Sequence, residues 1–222
     1  MKEITNEYEL WKGYSPQQKV KPSQLGPHTS FQLKFSPRHI LFSLSRYKFA
    51  AKMIGENKTI LELGCGDGFG SITLSEFAKS FTGVDFDEEM IRWAKKNLTN
   101  EKRRYINDNF LGKRYGQFDA VVSLDVIEHI YPENEGLFFK TLSDNIVHNG
   151  IVIVSTPNIE TQRFSKEFIR GAHVNLYNAE SLKEAMNRFF HNVFIFSMND
   201  EMIHTGYWPM AHCYVALGCY KK

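Results

Sequence analysis

The stretch Thr59-Ile-Leu-Glu-Leu63, running directly into Gly64-Cys-Gly-Asp-Gly68, decides how the rest of the chain is read. A short apolar run that breaks into glycine at every second position predicts a buried strand and a tight loop, and Ile72, Leu74 and Phe77 after it predict a helix. Strand, glycine loop and helix open a βαβ unit. Downstream the alternation continues. Phe81 to Asp85 reads as the second strand, Glu88 to Asn97 as a helix, and Tyr105-Ile106 as a short third strand. Phe118 to Leu124 is a nearly continuous apolar strand, Leu137 to Val147 a helix and Gly150 to Ser155 another apolar strand. Strands this uniformly apolar require cover on both faces. A helix from Ala179 to Phe189 follows, then strands at Val193 to Phe196 and Cys213 to Cys219 with no helix between them, which makes that last pair antiparallel neighbours. The fold class is therefore α/β, a doubly wound, mostly parallel seven-stranded sheet with an antiparallel C-terminal hairpin strand.

Upstream of the strand, Ser36-Pro37 is a helix start, and Ile40, Leu44, Tyr47 and Ala51 recur at helical spacing toward Gly55. Before it, Pro16, Pro22, Pro27, Gly13 and Gly26 interrupt aromatics such as Trp11 and Tyr14, and no period holds. Residues 1–35 are expected to be a loosely structured arm, either a tail packed on the domain or an active-site cover, and residues 36–222 a single domain.

With 222 residues and 42% hydrophobic content the chain can bury one substantial core. A formal net charge of +2, without a dense Lys/Arg run, gives no electrostatic case for duplex nucleic acid and suits a small acceptor. Cys65, Cys213 and Cys219 lack paired metal spacing, and Met1-Lys2-Glu3 lacks the apolar core of a signal peptide, so a reducing cytoplasm is expected. The apolar stretches break well before the roughly 20 residues needed to cross a bilayer, so no membrane partner is expected. A monomer or homodimer is consistent with all of this.

In a doubly wound sheet, ligands bind at the carboxyl ends of the strands, where the first βα loop meets them. That loop lacks the G-x-G-x-x-G fingerprint, because Phe69 and Ser71 stand where a third glycine belongs, and no Gly-Lys-Ser/Thr follows it. Its carboxylates, Glu62 and Asp67, would repel a pyrophosphate but suit a ligand bearing an ammonium and a sulfonium. S-adenosylmethionine carries both. Asp85, ending the second strand with Phe86 beside it, has the position from which an acid bonds ribose hydroxyls, and Asp108, followed by Asn109, is placed for the adenine amino group.

The segment resembles motif I of the class I S-adenosylmethionine-dependent methyltransferases, whose E/D-x-G-x-G-x-G pattern is met by Glu62, Gly64, Gly66 and Gly68, and the likeness runs from about Arg38 to Tyr220. It implies a Rossmann-like methyltransferase fold, with Asp85 and Asp108 as the later acidic partners. A second constellation, Asp125-Val-Ile-Glu128-His129, follows the fourth strand. One reading has these residues shape the cofactor pocket, Asp125 included, with His129 as general base. The other places Asp125, Glu128 and His129 on one side of a helical turn as ligands of Mg²⁺ or Mn²⁺, joined by His173 downstream. The arrangement resembles ubiquinone-biosynthesis O-methyltransferases and the 2′-O-methyltransferases of small-RNA 3′ ends, although Asp125 stands where those families usually have glutamate. A metal would lower the pKa of an acceptor hydroxyl and aim its oxygen.

Ser45-Arg46-Tyr47-Lys-Phe-Ala50 resembles the R-Y-x-F-A stretch of bacterial glycan-associated methyltransferases, which implies a sugar or nucleotide-sugar acceptor ahead of RNA ribose or a quinone precursor. Tyr207 and Trp208 would suit a sugar ring. The competing functions are a nicotinamide oxidoreductase, disfavoured by the acidic loop, and an S-adenosylmethionine-binding regulatory subunit, which would need no base.

Overall fold

The computed structural model describes residues 6–14, 24–164, 167–206 and 208–222; Pro16, Pro22 and Tyr207 lie outside them. The chain forms helices α1 (Glu7–Tyr14), α2 (Pro27–Phe35) and α3 (Pro37–Ile54), then β1 (Thr59–Leu63), α4 (Ser71–Ser75), β2 (Ser80–Asp85), α5 (Glu88–Leu98) and β3 (Arg103–Asn107). It continues through β4 (Phe118–Leu124), α6 (Glu135–Asp144), β5 (Ile146–Pro157), α7 (Glu167–Ala172), α8 (Ala179–Asn187), β6 (Phe190–Asn199), β7 (Met202–His204) and β8 (Cys213–Lys221).

The strands form one sheet in the order β3-β2-β1-β4-β5-β8-β6-β7. The pairs from β3 to β5 are parallel, and β8 inserts antiparallel between β5 and β6, as the missing helix before it required. There are eight strands among the described residues where the sequence predicts seven. The addition is β7, a three-residue edge strand that pairs only with β6. Adjacent residues of one strand face opposite cores: Leu61 and Val121 meet α6 and α8, whereas Ile60 and Ala120 meet α3, α4 and α5. This alternation between two covered faces explains the continuous apolar runs. Order reverses between β1 and β4, so their carboxyl ends make the switch-point crevice.

Two regions expected to be irregular are not. Residues 27–35 form α2, which packs against α3 and α5, and its helix start is supplied by a residue far off in sequence. The segment 158–177, to which the sequence pattern assigns no strand or helix, carries a 3₁₀ stretch at Ile159–Phe164 and α7, and is closed at its base by a bridge between Asn158 and Tyr177. No helix among the described residues is long and apolar enough to cross a membrane.

Candidate active site

The loop after β1 turns at Gly64, whose φ of 84° lies in the left-handed region that glycine reaches without strain. A Cβ there would come within 2.3 Å of Val126, so this loop and the one after β4 lie in contact. Glu62 is fully buried at the end of β1, where it accepts hydrogen bonds from the Tyr47 hydroxyl (2.7 Å) and the Ser71 hydroxyl (2.9 Å). Burial raises its carboxyl to about 7, against the pull of those two donors. Asp67, also buried, accepts from the Thr29 amide (2.8 Å), the Thr29 hydroxyl (3.0 Å) and the Phe69 amide (3.3 Å). Both acids that the sequence assigns to the ligand's cationic end thus have protein donors on each oxygen.

Asp85 braces the same loop, accepting from the Gly66 amide (2.8 Å) and the Asp87 amide (2.9 Å). Phe86 beside it is 75% exposed, an open apolar surface at the place expected for a nucleoside. Asp108 pairs with Lys113 and accepts from the Tyr115 hydroxyl at 2.9 Å; the Lys113 ammonium holds its carboxyl below the ordinary carboxylate range. Asn109 follows it, exposed. Gly64, Gly66, Gly68, Asp85 and Asp108 therefore stand along the carboxyl edge of β1 to β3.

Across the crevice, Asp125 ends β4 with φ of 57° and its amide bonded to the Ser155 carbonyl and hydroxyl, each at 3.1 Å. Its carboxylate accepts from the Ser155 hydroxyl at 2.8 Å and pairs with Arg46 from α3. A 3₁₀ turn, Ile127–His129, then buries Glu128, whose Oε2 makes no hydrogen bond of normal geometry, nor does the neighbouring Thr156 hydroxyl, a group that could supply one. Burial pushes the Glu128 carboxyl well above its ordinary value, and the charge of Asp125 pushes the same way. The Glu128 carbonyl accepts from the amides of Val174 (2.8 Å) and Asn175 (3.2 Å), which draws His173 to the turn.

The two imidazoles meet with ring centroids 5.1 Å apart. His129 Nδ1 lies 2.9 Å from the Ala172 carbonyl; a carbonyl can only accept, so Nδ1 holds the proton and the exposed ring keeps a lone pair on Nε2. His173 Nδ1 is 3.0 Å from the Gln162 side-chain amide nitrogen, and burial, followed by the neighbouring His129, lowers its pKa toward the neutral form. One ligand atom from each of Glu128, His129 and His173 lies within 4.8 Å of the others. The sequence places Asp125 in the same set, and this is corrected: the turn is 3₁₀ rather than α-helical, and the Asp125 carboxylate is turned to Arg46 and Ser155.

Arg46 and Tyr47 hold two acids of the crevice, a placement that the sequence reading missed. Taken there as a mark of the acceptor, they point inward, each holding one acid of a different loop. Their adjacency on a helix just before the first strand was the available signal. Thr29, Ser71, Ser155 and Gln162 carried none.

The family described as a methyltransferase domain matches residues 38–189, more than half of the chain. A ubiquinone biosynthesis O-methyltransferase of Caulobacter vibrioides is 28% identical over 143 residues, 56% of this chain and 56% of that protein. The chain thus spans about half the length of the curated relatives it matches. Among solved structures, the N-methyltransferase NodS of Bradyrhizobium japonicum in complex with S-adenosylhomocysteine superposes with a TM-score of 0.64 at 14% identity, covering 85% of this chain and 90% of that one. The methyltransferase domain of a bacterial Hen1 superposes with a TM-score of 0.65 at 19% identity, covering 82% and 99%. These two show the fold, and the family match over strands, glycine loop and Glu128-His129 turn shows the lineage: the chain belongs to the methyltransferase-domain family.

Proposed function

We propose that the chain is an S-adenosylmethionine-dependent O-methyltransferase whose acceptor hydroxyl is activated at Glu128, His129 and His173. The carrying observation is that ligand atoms of Glu128, His129 and His173 lie within 4.8 Å of one another, while the buried Glu128 keeps one oxygen without a hydrogen-bond partner. A fully buried carboxyl oxygen without a partner is costly, and a divalent cation, displacing the proton that burial keeps on Glu128, is the group that this donor set fits. His129 supports the fit, since its Nδ1 is engaged by a backbone carbonyl, the arrangement that orients a ligating imidazole. Bound there, Mg²⁺ or Mn²⁺ would lower the pKa of an acceptor hydroxyl.

In the reaction a C–O bond to the methyl carbon forms as the C–S⁺ bond breaks, giving methyl ether, S-adenosylhomocysteine and a proton. The chain's part is positioning. The Gly64–Gly68 loop and Asp85 hold the methyl donor, and Arg46 and Ser155 fix Asp125 between donor and acceptor. A second reading, with His129 as a metal-free base, is favoured by its Nε2 lone pair. Two acceptor classes compete. A sugar or nucleotide-sugar hydroxyl draws on the exposed Trp208 but loses the argument from Arg46 and Tyr47, which turn inward. A phenolic quinone precursor draws on the name of the Caulobacter relative.

Incubation of purified protein with S-adenosylmethionine and a panel of nucleotide sugars and catechols, read by mass spectrometry for gain of one methyl group, tests the activity. EDTA is expected to abolish turnover while S-adenosylhomocysteine still binds, with Mg²⁺ or Mn²⁺ restoring the rate. Unchanged turnover after exhaustive chelation would sink the metal and leave His129 as the base.

A further inference from the structure

Helix α2 has no cap of its own. Its N-cap residue is Gly26, in extended backbone, which has no side chain with which to receive the first amides of the helix. The amide of Thr29, at the third helical position, is received instead by Asp67 in the glycine loop, 38 residues away, at 2.8 Å, and the Thr29 hydroxyl donates to the other oxygen at 3.0 Å. Thr29 and Asp67 are only 2% and 3% exposed. A Cβ on Gly26 would lie 2.3 Å from Asp67 Oδ2, so the arm's backbone rests directly on that carboxylate. Helix α2 also touches α5, the helix that follows Asp85, so it contacts both the glycine loop, through Asp67, and the element after the second acid expected to hold the methyl donor.

What α2 does not bury is equally informative. Phe31, Leu33 and Phe35 are 58%, 52% and 61% exposed, so apolar burial does little to hold the helix down. A tail that merely packs on a domain would bury those side chains. Here the buried contact is polar and is made to the cofactor loop.

We propose that α2 is a releasable cover of the cofactor site, latched by the Asp67–Thr29 pair, and that Thr29 is a positioning residue acting through Asp67. The docked helix fixes the Gly64–Gly68 loop, and its Thr29 amide and hydroxyl in turn satisfy the buried Asp67 carboxylate. Exchange of cofactor for product requires the latch to open. The inference rests on reading residues 62–85 as the methyl-donor site.

The test uses the full chain and S-adenosylhomocysteine. Thr29→Val keeps the size and the backbone amide but removes the hydroxyl, and is expected to weaken binding in calorimetry roughly tenfold with faster release, as loss of a hydrogen bond to a charged group implies. Thr29→Ser should restore it. Gly26→Ala removes no hydrogen-bonding group but forces the backbone off Asp67, and should weaken binding as well. Hydrogen exchange of residues 27–35 should slow when S-adenosylhomocysteine is added. A merely structural contact would lower the melting temperature while leaving affinity and exchange untouched. Wild-type affinity in both Thr29→Val and Gly26→Ala, or exchange in 27–35 indifferent to ligand, overturns the latch. Failure of the wild type to bind S-adenosylhomocysteine overturns the donor-site reading first, and the latch with it. Should Thr29→Val not fold, Gly26→Ala and wild-type exchange still decide.

Discussion

The loops after β1 and β4 are built alike and used differently. Each follows a buried parallel strand, each carries two acids, and the two touch where Gly64 meets Val126. In the first loop Glu62 and Asp67 have a protein donor on each oxygen. In the second, Asp125 is held by Arg46 and Ser155, while the buried Glu128 keeps one oxygen without a partner. Buried polar groups are nearly always satisfied, and among these four acids Glu128 alone has a buried oxygen without a partner, which is the observation that the proposed function uses. The satisfied acids hold backbone and neighbouring side chains; the unsatisfied one is the acid to which the proposed function gives a chemical part.

Removing Arg46 is expected to disturb that division most. Arg46→Met keeps volume but leaves Asp125 without its cation beside Glu128. Breaking a buried ion pair from one side destabilises by roughly 3–5 kcal/mol, and the lower end, about 3 kcal/mol, applies because Asp125 is a third exposed. Urea unfolding measures this. A loss under about 1 kcal/mol would show that Asp125 is solvated rather than held, and the likeness between the two loops would fail.

Glu128→Gln separates the roles of the loops directly. On the proposed metal reading, turnover is expected to fall by about a hundredfold or more, because a ligand charge is lost. Stability of the metal-free protein is expected to hold or rise by up to about 1 kcal/mol, since no donor loses its acceptor. The direction follows from its pKa. A carboxyl raised on folding stays protonated in the native state where the unfolded chain has ionised, so above the unfolded value Glu128 weakens the fold as pH rises, and glutamine removes that penalty. A drop of about 2 kcal/mol or more in unfolding experiments would mean that the oxygen has a partner after all.

The contrast also separates what a reader of sequence can and cannot see. The β1 strand, its glycines and the missing helix before Cys213 are local signals, and they gave the sheet and its antiparallel ending. Helix α2 was not legible, because its cap comes from Asp67 and its apolar residues stay outside. The three-residue β7 is too short to show a period. Glu128, His129 and His173 could be nominated by residue type, yet their meeting depends on the amides of Val174 and Asn175 finding the Glu128 carbonyl. Asp125 has a positive φ, and its carboxylate is taken by Ser155 and by Arg46 of α3, partners that no local pattern announces. Arg46 and Tyr47, neighbours in sequence, reach acids 79 and 15 residues away.

The smallest expected effect is the one that titrates. Tyr47→Phe removes the 2.7 Å hydrogen bond to Glu62 and little else, since the ring still packs on Gly70. Glu62 titrates near 7 in the fold, above the value of about 4.5 expected in the unfolded chain. Between those values the native state holds a proton that the unfolded state has lost, so stability falls as pH rises from about 4.5 to about 7 and levels off beyond. At pH near 5.5 the variant loses a hydrogen bond to a neutral carboxyl, about 1 kcal/mol. At pH near 8 the wild-type bond is to a carboxylate, and the loss grows to about 2 kcal/mol. The substitution also raises the Glu62 pKa further, because the Tyr47 hydroxyl favours the ionised form. Urea melts of both proteins at the two pH values measure the difference. An equal loss at both would show that Glu62 does not change charge in this range, and that the first loop's acid is fixed in one protonation state by something other than Tyr47 and Ser71.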